Sequence, residues 1–130
     1  MRVLCGSRGL AVARLAARHA AIVDPLLLGA VVASESGCHA HAVSAGGLDL
    51  GYGQIRLHGS AARHHGRAAL LRPALNIRLT AEHLRRCLDL CDGWIAGALS
   101  VYRGIRRCVD SRGSRRVLKL YEKAKGESRS

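Results

Sequence analysis

Residues 24–36 read DPLLLGAVVASES. Asp24 is a short acceptor where a helix N-cap belongs. Pro25 follows at the first helical position, where its fixed φ and missing N–H do no harm. Residues 26–33 are apolar on every side, with no polar stripe between them. A helix of that kind is buried all round, so it marks the centre of a helical domain. Near its end, in VVASESG, stands Glu35. Burial disfavours the charged form of a carboxyl and raises its pKa, which suits the group to donate a proton near neutrality. A glutamate at a fraying, exposed helix end is the plainer reading of the same residue.

Working outward, residues 10–22 are rich in Ala and Leu and predict a helix ahead of the central one. Behind it, residues 38–66 break into Gly, His, Ser and Asp, with Gly46, Gly47, Gly51, Gly53 and Gly59 permitting tight turns. Function concentrates in such irregular stretches. Periodicity returns with Ala74, Ile77, Ala81, Leu84, Leu88 and Cys91, spaced by three and four, a long amphipathic helix ending near Gly93. Ile95, Ala98, Leu99, Tyr102 and Ile105 form the expected buried stripe of the next helix. Val117, Leu120 and Tyr121 belong to a last one from about Ser114. The alternation of a half-buried strand is absent. The fold class expected is all-α, or α-dominated α+β, with a buried central helix and a glycine-rich loop excursion. A chain of 130 residues accommodates one such domain. It is placed at residues 10–122, between an N-terminal extension (1–9) and a basic C-terminal tail (123–130).

The apolar residues are mostly Ala, Leu and Val, with no Phe, so the core is aliphatic. A formal charge of +12 favours polyanionic partners such as nucleic acid, anionic lipid or acidic cell wall, without choosing among them. Scarce aromatic residues argue against base stacking and hence against a single-strand nucleic-acid binder. Cys5, Cys38, Cys87, Cys91 and Cys108 are odd in number. Either Cys87 or Cys91 can reach Cys108 from a neighbouring helix, but no CxxC pattern points to zinc. Cys38, His39 and His41, and the pair His64 and His65, read as loop residues rather than metal ligands, and no cofactor is expected. No clear secretory signal is visible, and the longest apolar run is about half of a membrane span.

The segment VDPLLLGAVVASESGCHAHAVS (23–44) resembles the opening of the soluble lytic transglycosylase catalytic domain, of the lysozyme superfamily. In that domain a DPxL helix leads to Glu-Ser-Gly and a loop ending in AVS. GLDLGYGQI (47–55) resembles its GLMQI motif. LLRPALNIRLTAEHL (70–84) is similar to its PxxNIxxGxxYL helix, and ALSVYRG (98–104) to ALAAYNAG. The motifs stand in family order. The Asp49 form, DxGxxQI, resembles that of transglycosylases in secretion and conjugation machines, and the wider resemblance implies a secretion, conjugation or phage apparatus among the partners of such domains.

The resemblance implies a lysozyme-like fold, peptidoglycan glycan strands as partner, and a periplasmic or wall-associated site of action. It places Glu35 at the catalytic acid, Ser44 at a serine facing the substrate, Gln54 at the groove glutamine and Tyr102 beside the acid. It also implies that Glu35 protonates the oxygen between N-acetylmuramic acid and N-acetylglucosamine and then accepts the proton of the muramic 6-hydroxyl. The product is a 1,6-anhydro sugar, so no second carboxylate is required. Three departures stand out: Gly53 in place of Met, Cys38 in place of a large residue, and VYRGI without the family's Asn. Tyr52 is expected to compensate by offering an aromatic face to a sugar, with both donor and acceptor of Gln54 on an N-acetyl group, and Arg103 by pairing with a muramic peptide carboxylate. Two rivals follow. Asp49 is the candidate second carboxylate of a true hydrolytic lysozyme. Alternatively, a non-catalytic wall- or polyanion-binding module would use Arg106, Arg107, Arg112, Arg115 and Arg116.

Overall fold

The computed structural model describes the backbone of residues 1–129 and the side chains of residues 1–127. Its helices are α1 (Arg2–Cys5), α2 (Gly9–Ala17), α3 (Pro25–Ser36), α4 (Arg67–Leu70), α5 (Pro73–Leu90), α6 (Ile95–Tyr102) and α7 (Arg112–Arg129). Strands β1 (Asp49–Leu50) and β2 (Ile55–Arg56) and two 3₁₀ turns complete it.

The central helix begins and ends where its residues dictate. The Leu26 N–H donates to Asp24 Oδ1 at 2.9 Å, Pro25 occupies the first turn, and Gly37 closes the helix in the left-handed conformation at φ 61°. Leu27, Leu28, Gly29, Ala30, Val31 and Val32 are all buried, among α1, α2, α5 and α7. Burying the four large side chains of this set contributes on the order of 6–12 kcal/mol, an upper bound because the unfolded chain already hides part of them.

Helix α2 stops at Ala17, short of the expected residue 22. Residues 18–22 wind more tightly, with Arg18, His19, Ala20 and Ile22 donating three residues back. The chain must leave the helix here because Asp24, preceding a proline, is held extended (φ −58°, ψ 122°). Residues 1–9, expected as an extension, are folded onto the domain. Helix α1 packs on α2, α3 and α7, Met1 lies over Gly29, and Cys5 is bonded to Cys38.

The excursion carries a two-residue antiparallel hairpin that pairs Asp49 with Arg56 and Leu50 with Ile55. Strands so short leave no alternation to detect. Asn76, fully buried on α5, holds the hairpin. Its Nδ2 donates to Leu50 O (2.8 Å) and Leu70 O (2.7 Å), and its Oδ1 accepts the Gly53 N–H (2.9 Å). Gly51, at φ 75°, lies against that amide so closely that a Cβ would collide with it.

The stripe of α5 is buried from Ile77 through Leu88, while Ala74 is exposed in the first turn. On α6, Ala98 and Leu99 are buried and Tyr102 partly so. Ile105, expected in the stripe, is 38% exposed because the helix ends at Tyr102 and Gly104 turns the chain at φ 98°. Cys91 bonds to Cys108, tying the end of α5 to the loop after α6, and Cys87 is a free buried thiol. Helix α7 sets Val117, Tyr121 and Ala124 inward and continues through residue 129, so the expected tail is helical as far as it is described, and Ser130 lies outside the described residues.

Candidate functional site

Glu35 sits in the last turn of α3 and opens into a cavity of about 580 Å³ between that helix, the hairpin, α5 and the end of α6. Its side chain is 20% exposed. Burial pushes its carboxyl above the ordinary glutamate value. Arg103, whose Nη1 lies 3.9 Å from Oε1, pulls it back, and Asp49 adds to the rise. The result is a carboxyl biased toward the protonated form, with a cation beside it to steady the charged one.

Arg103 reaches this position over Gly113, where a Cβ would stand 2.5 Å from its Nε. Tyr102, the last residue of α6, donates its hydroxyl to Gly53 O at 2.7 Å beside the Thr80 hydroxyl. Burial above all, and then the Glu35 charge, hold that phenol protonated. Gln54 stands in a left-handed conformation (φ 52°), and its Nε2 donates to Ala42 O (3.2 Å) and Gly51 O (3.1 Å). Both amide hydrogens are therefore engaged. Only the oxygen remains for a ligand, rather than the donor and acceptor expected.

Two expected site residues lie apart from this cavity. Ser44 accepts the Asp49 N–H on its Oγ (3.1 Å) and donates its own N–H to Asp49 O (3.0 Å), which closes the turn before β1. Tyr52 is 4% exposed, packed with Val12, Val32, Cys38 and Ile77, and its edge borders a second cavity. So enclosed, it offers no aromatic face to a sugar in the Glu35 cavity. Asp49 does line the cavity, but both its oxygens lie 3.4 Å from Arg56 Nη1.

His83 also lines the cavity, and the sequence reading passed over it. It lies on α5 with its ring centroid 5.0 Å from that of Tyr102. Burial, assisted by Arg86, pushes its pKa down to about 4, so the imidazole is neutral at ordinary pH. The signal was present in the third motif: in PxxNIxxGxxYL laid over residues 73–84, His83 stands at the Tyr and Thr80 at the Gly. Among the described residues no group of three or more His, Cys, Asp or Glu side chains is placed to hold a metal ion, and no helix is long and apolar enough to cross a membrane.

The family described as transglycosylase SLT domain matches residues 14–124. The chain belongs to this family. Transglycosylase SLT domains act on peptidoglycan and share the lysozyme-like architecture seen here, helical apart from one small hairpin. No curated protein and no solved structure matches the chain. Within this SLT domain the match includes Glu35, the hairpin, α5 and α6, and it leaves α1 and the start of α2 outside.

Proposed function

We propose that this SLT domain is a lytic transglycosylase that cleaves the bond between N-acetylmuramic acid and N-acetylglucosamine, with Glu35 as the only acid and base. The observation carrying this reading is the protonation-biased Glu35 carboxyl in the cavity, beside an Asp49 whose two oxygens face Arg56. Glu35 donates its proton to the glycosidic oxygen, and the C1–O bond breaks through an oxocarbenium-like state. The muramic 6-hydroxyl oxygen then bonds to C1 as Glu35 takes the hydroxyl proton, which leaves a 1,6-anhydro end and restores the acid. Arg103 steadies the carboxylate between the two transfers. The Gln54 oxygen accepts from a sugar amide or hydroxyl, and Tyr102 keeps the hairpin turn fixed against α6.

Ordinary retaining and inverting glycosidases need two carboxyl groups flanking the bond, and a substrate that supplies its own nucleophile removes that need. The two disulfides suit an oxidising, periplasmic or wall-associated setting. The test is mass spectrometry of fragments released from purified peptidoglycan by the protein and by Glu35→Gln. Anhydro-muramyl ends that fall by about 10²–10⁴ in the variant support the reading. Because Asp49 shares the cavity, reducing ends would make the protein a hydrolase working with Asp49. No release by either protein would leave a wall-binding module.

A further inference from the structure

A second cavity, of about 700 Å³, begins one residue beyond the catalytic acid: Glu35 lines the first and Ser36 the second. One wall is the stretch from Cys38 to Val43. The other is built by Ser7, Arg8 and Ala11. Those three residues precede residue 14, where the family match begins, so this wall lies outside the matched region. The Cys5–Cys38 disulfide joins the two sides covalently.

Its chemistry is one-sided. Arg8, His39 and His41 line it, and no carboxylate does among the described residues. Arg8 is exposed at the cavity wall. The opposite rim carries a one-residue edge at the isolated β-bridge of Val43. Val43 bridges Leu50, with Ala42 O accepting the Gly51 N–H and the Ser44 N–H bonding Asp49 O on the hairpin side. In that pattern the N–H and C=O of Val43 point away from the hairpin, and neither is bonded among the described residues. Such an edge pairs with an extended peptide, while a cationic wall selects an acidic one.

We propose that this second cavity binds the acidic stem peptide carried by the muramic acid next to the cleaved bond, held in extended form along Val43 with a carboxylate on Arg8. The assignment of the strand as the substrate rests on the function proposed above, but the peptide site itself is testable without turnover.

The probe is the sugar-free stem tetrapeptide released from peptidoglycan by an amidase, titrated into the full chain and followed by NMR. The expected result is perturbation of the Ala42, Val43 and Ser44 amides and of the His39 and His41 rings. Affinity should weaken about tenfold in Arg8→Glu, the worth of one charge-assisted contact. Ala11→Trp, at an exposed site, should block the cavity without touching the core. Binding that neither variant weakens, perturbation confined to the Arg103 side, or no binding at all would overturn the proposal. Peptide binding retained by a protein that releases no glycan would instead overturn the catalytic reading alone.

Discussion

Gly53 and Thr80 share one volume: a Cβ on Gly53 would fall inside the Thr80 hydroxyl. In the motif pair GLMQI and PxxNIxxGxxYL the large residue belongs to the hairpin and the glycine to the helix, and here the two are exchanged. Thr80 is fully buried, with its Oγ1 donating to Asn76 O at 2.8 Å, so the site is filled and satisfied from the helix side. Gly53 is thereby a compensated change rather than a hole under the substrate.

The exchange predicts a coupling. Gly53→Met alone overpacks the site and should cost about 2–3 kcal/mol. Adding Thr80→Gly should recover at least about 1 kcal/mol of that loss, although glycine within a helix itself costs about 1. A double-mutant cycle by urea denaturation measures this, and an equal cost of Gly53→Met in both backgrounds would rule out the shared volume.

Glu35 predicts opposite pH shifts for its two charged neighbours. Because the proposed first step needs the protonated acid, the alkaline limb of kcat/KM follows its raised pKa. Removing the cation in Arg103→Ala should move that limb to higher pH, and removing the anion in Asp49→Asn should move it to lower pH. The stability sign follows from the same rise. The folded state binds this proton more tightly than the unfolded chain, so stability falls as pH climbs from 4.5, the ordinary value, through the raised one. Glu35→Gln should therefore melt higher than the parent at neutral pH, with the gain shrinking toward pH 4. A variant that melts lower at every pH would show that the buried carboxyl is not under strain.

What the sequence disclosed and what it concealed divide along physical lines. The bounds of α3 were legible because cap, proline, apolar run and terminal glycine all agree, and the stripe of α5 because its period is long. The hairpin was hidden because two-residue strands have no period. Tyr52 looked available because it sits in a polar, glycine-rich stretch, yet the turn between the strands drives it inward onto Val12 and Ile77. The Cys5–Cys38 bond spans 33 residues between separate elements, which no local spacing reveals. Arg103 meets Glu35 only because α3 and α6 end at the same place, a fact of tertiary packing.

The two disulfides should contribute unequally. In the loop-entropy picture a closure of 33 residues stabilises by about 4 kcal/mol and one of 17 by about 3. Cys5→Ala with Cys38→Ala should thus cost more than Cys91→Ala with Cys108→Ala. Thermal melts of the two double variants, each with and without reductant, check the order. The first pair should also loosen the stem-peptide cavity, since it joins the two walls.

His83 titrates with the sign opposite to Glu35. Its pKa falls from 6.5 to about 4 on folding, so the unfolded chain binds this proton more readily than the native state. Stability contributed by the neutral ring is fully present above pH 6.5 and is lost as pH falls toward about 4. Over the same interval Glu35 begins to gain, and the two trends partly cancel in the parent protein. Replacing His83 with Phe removes the losing member while keeping a ring against Tyr102. Measured against its own neutral value, the variant should therefore melt higher at pH 5 than the parent does, because the Glu35 gain is no longer offset. Since the imidazole is neutral across the working range, the kcat/KM profile between pH 6 and 8 should keep its shape in the variant, with any loss confined to KM. A new or missing limb in that range would mean that His83 exchanges a proton during turnover, and the single-carboxyl mechanism would have to admit a second acid.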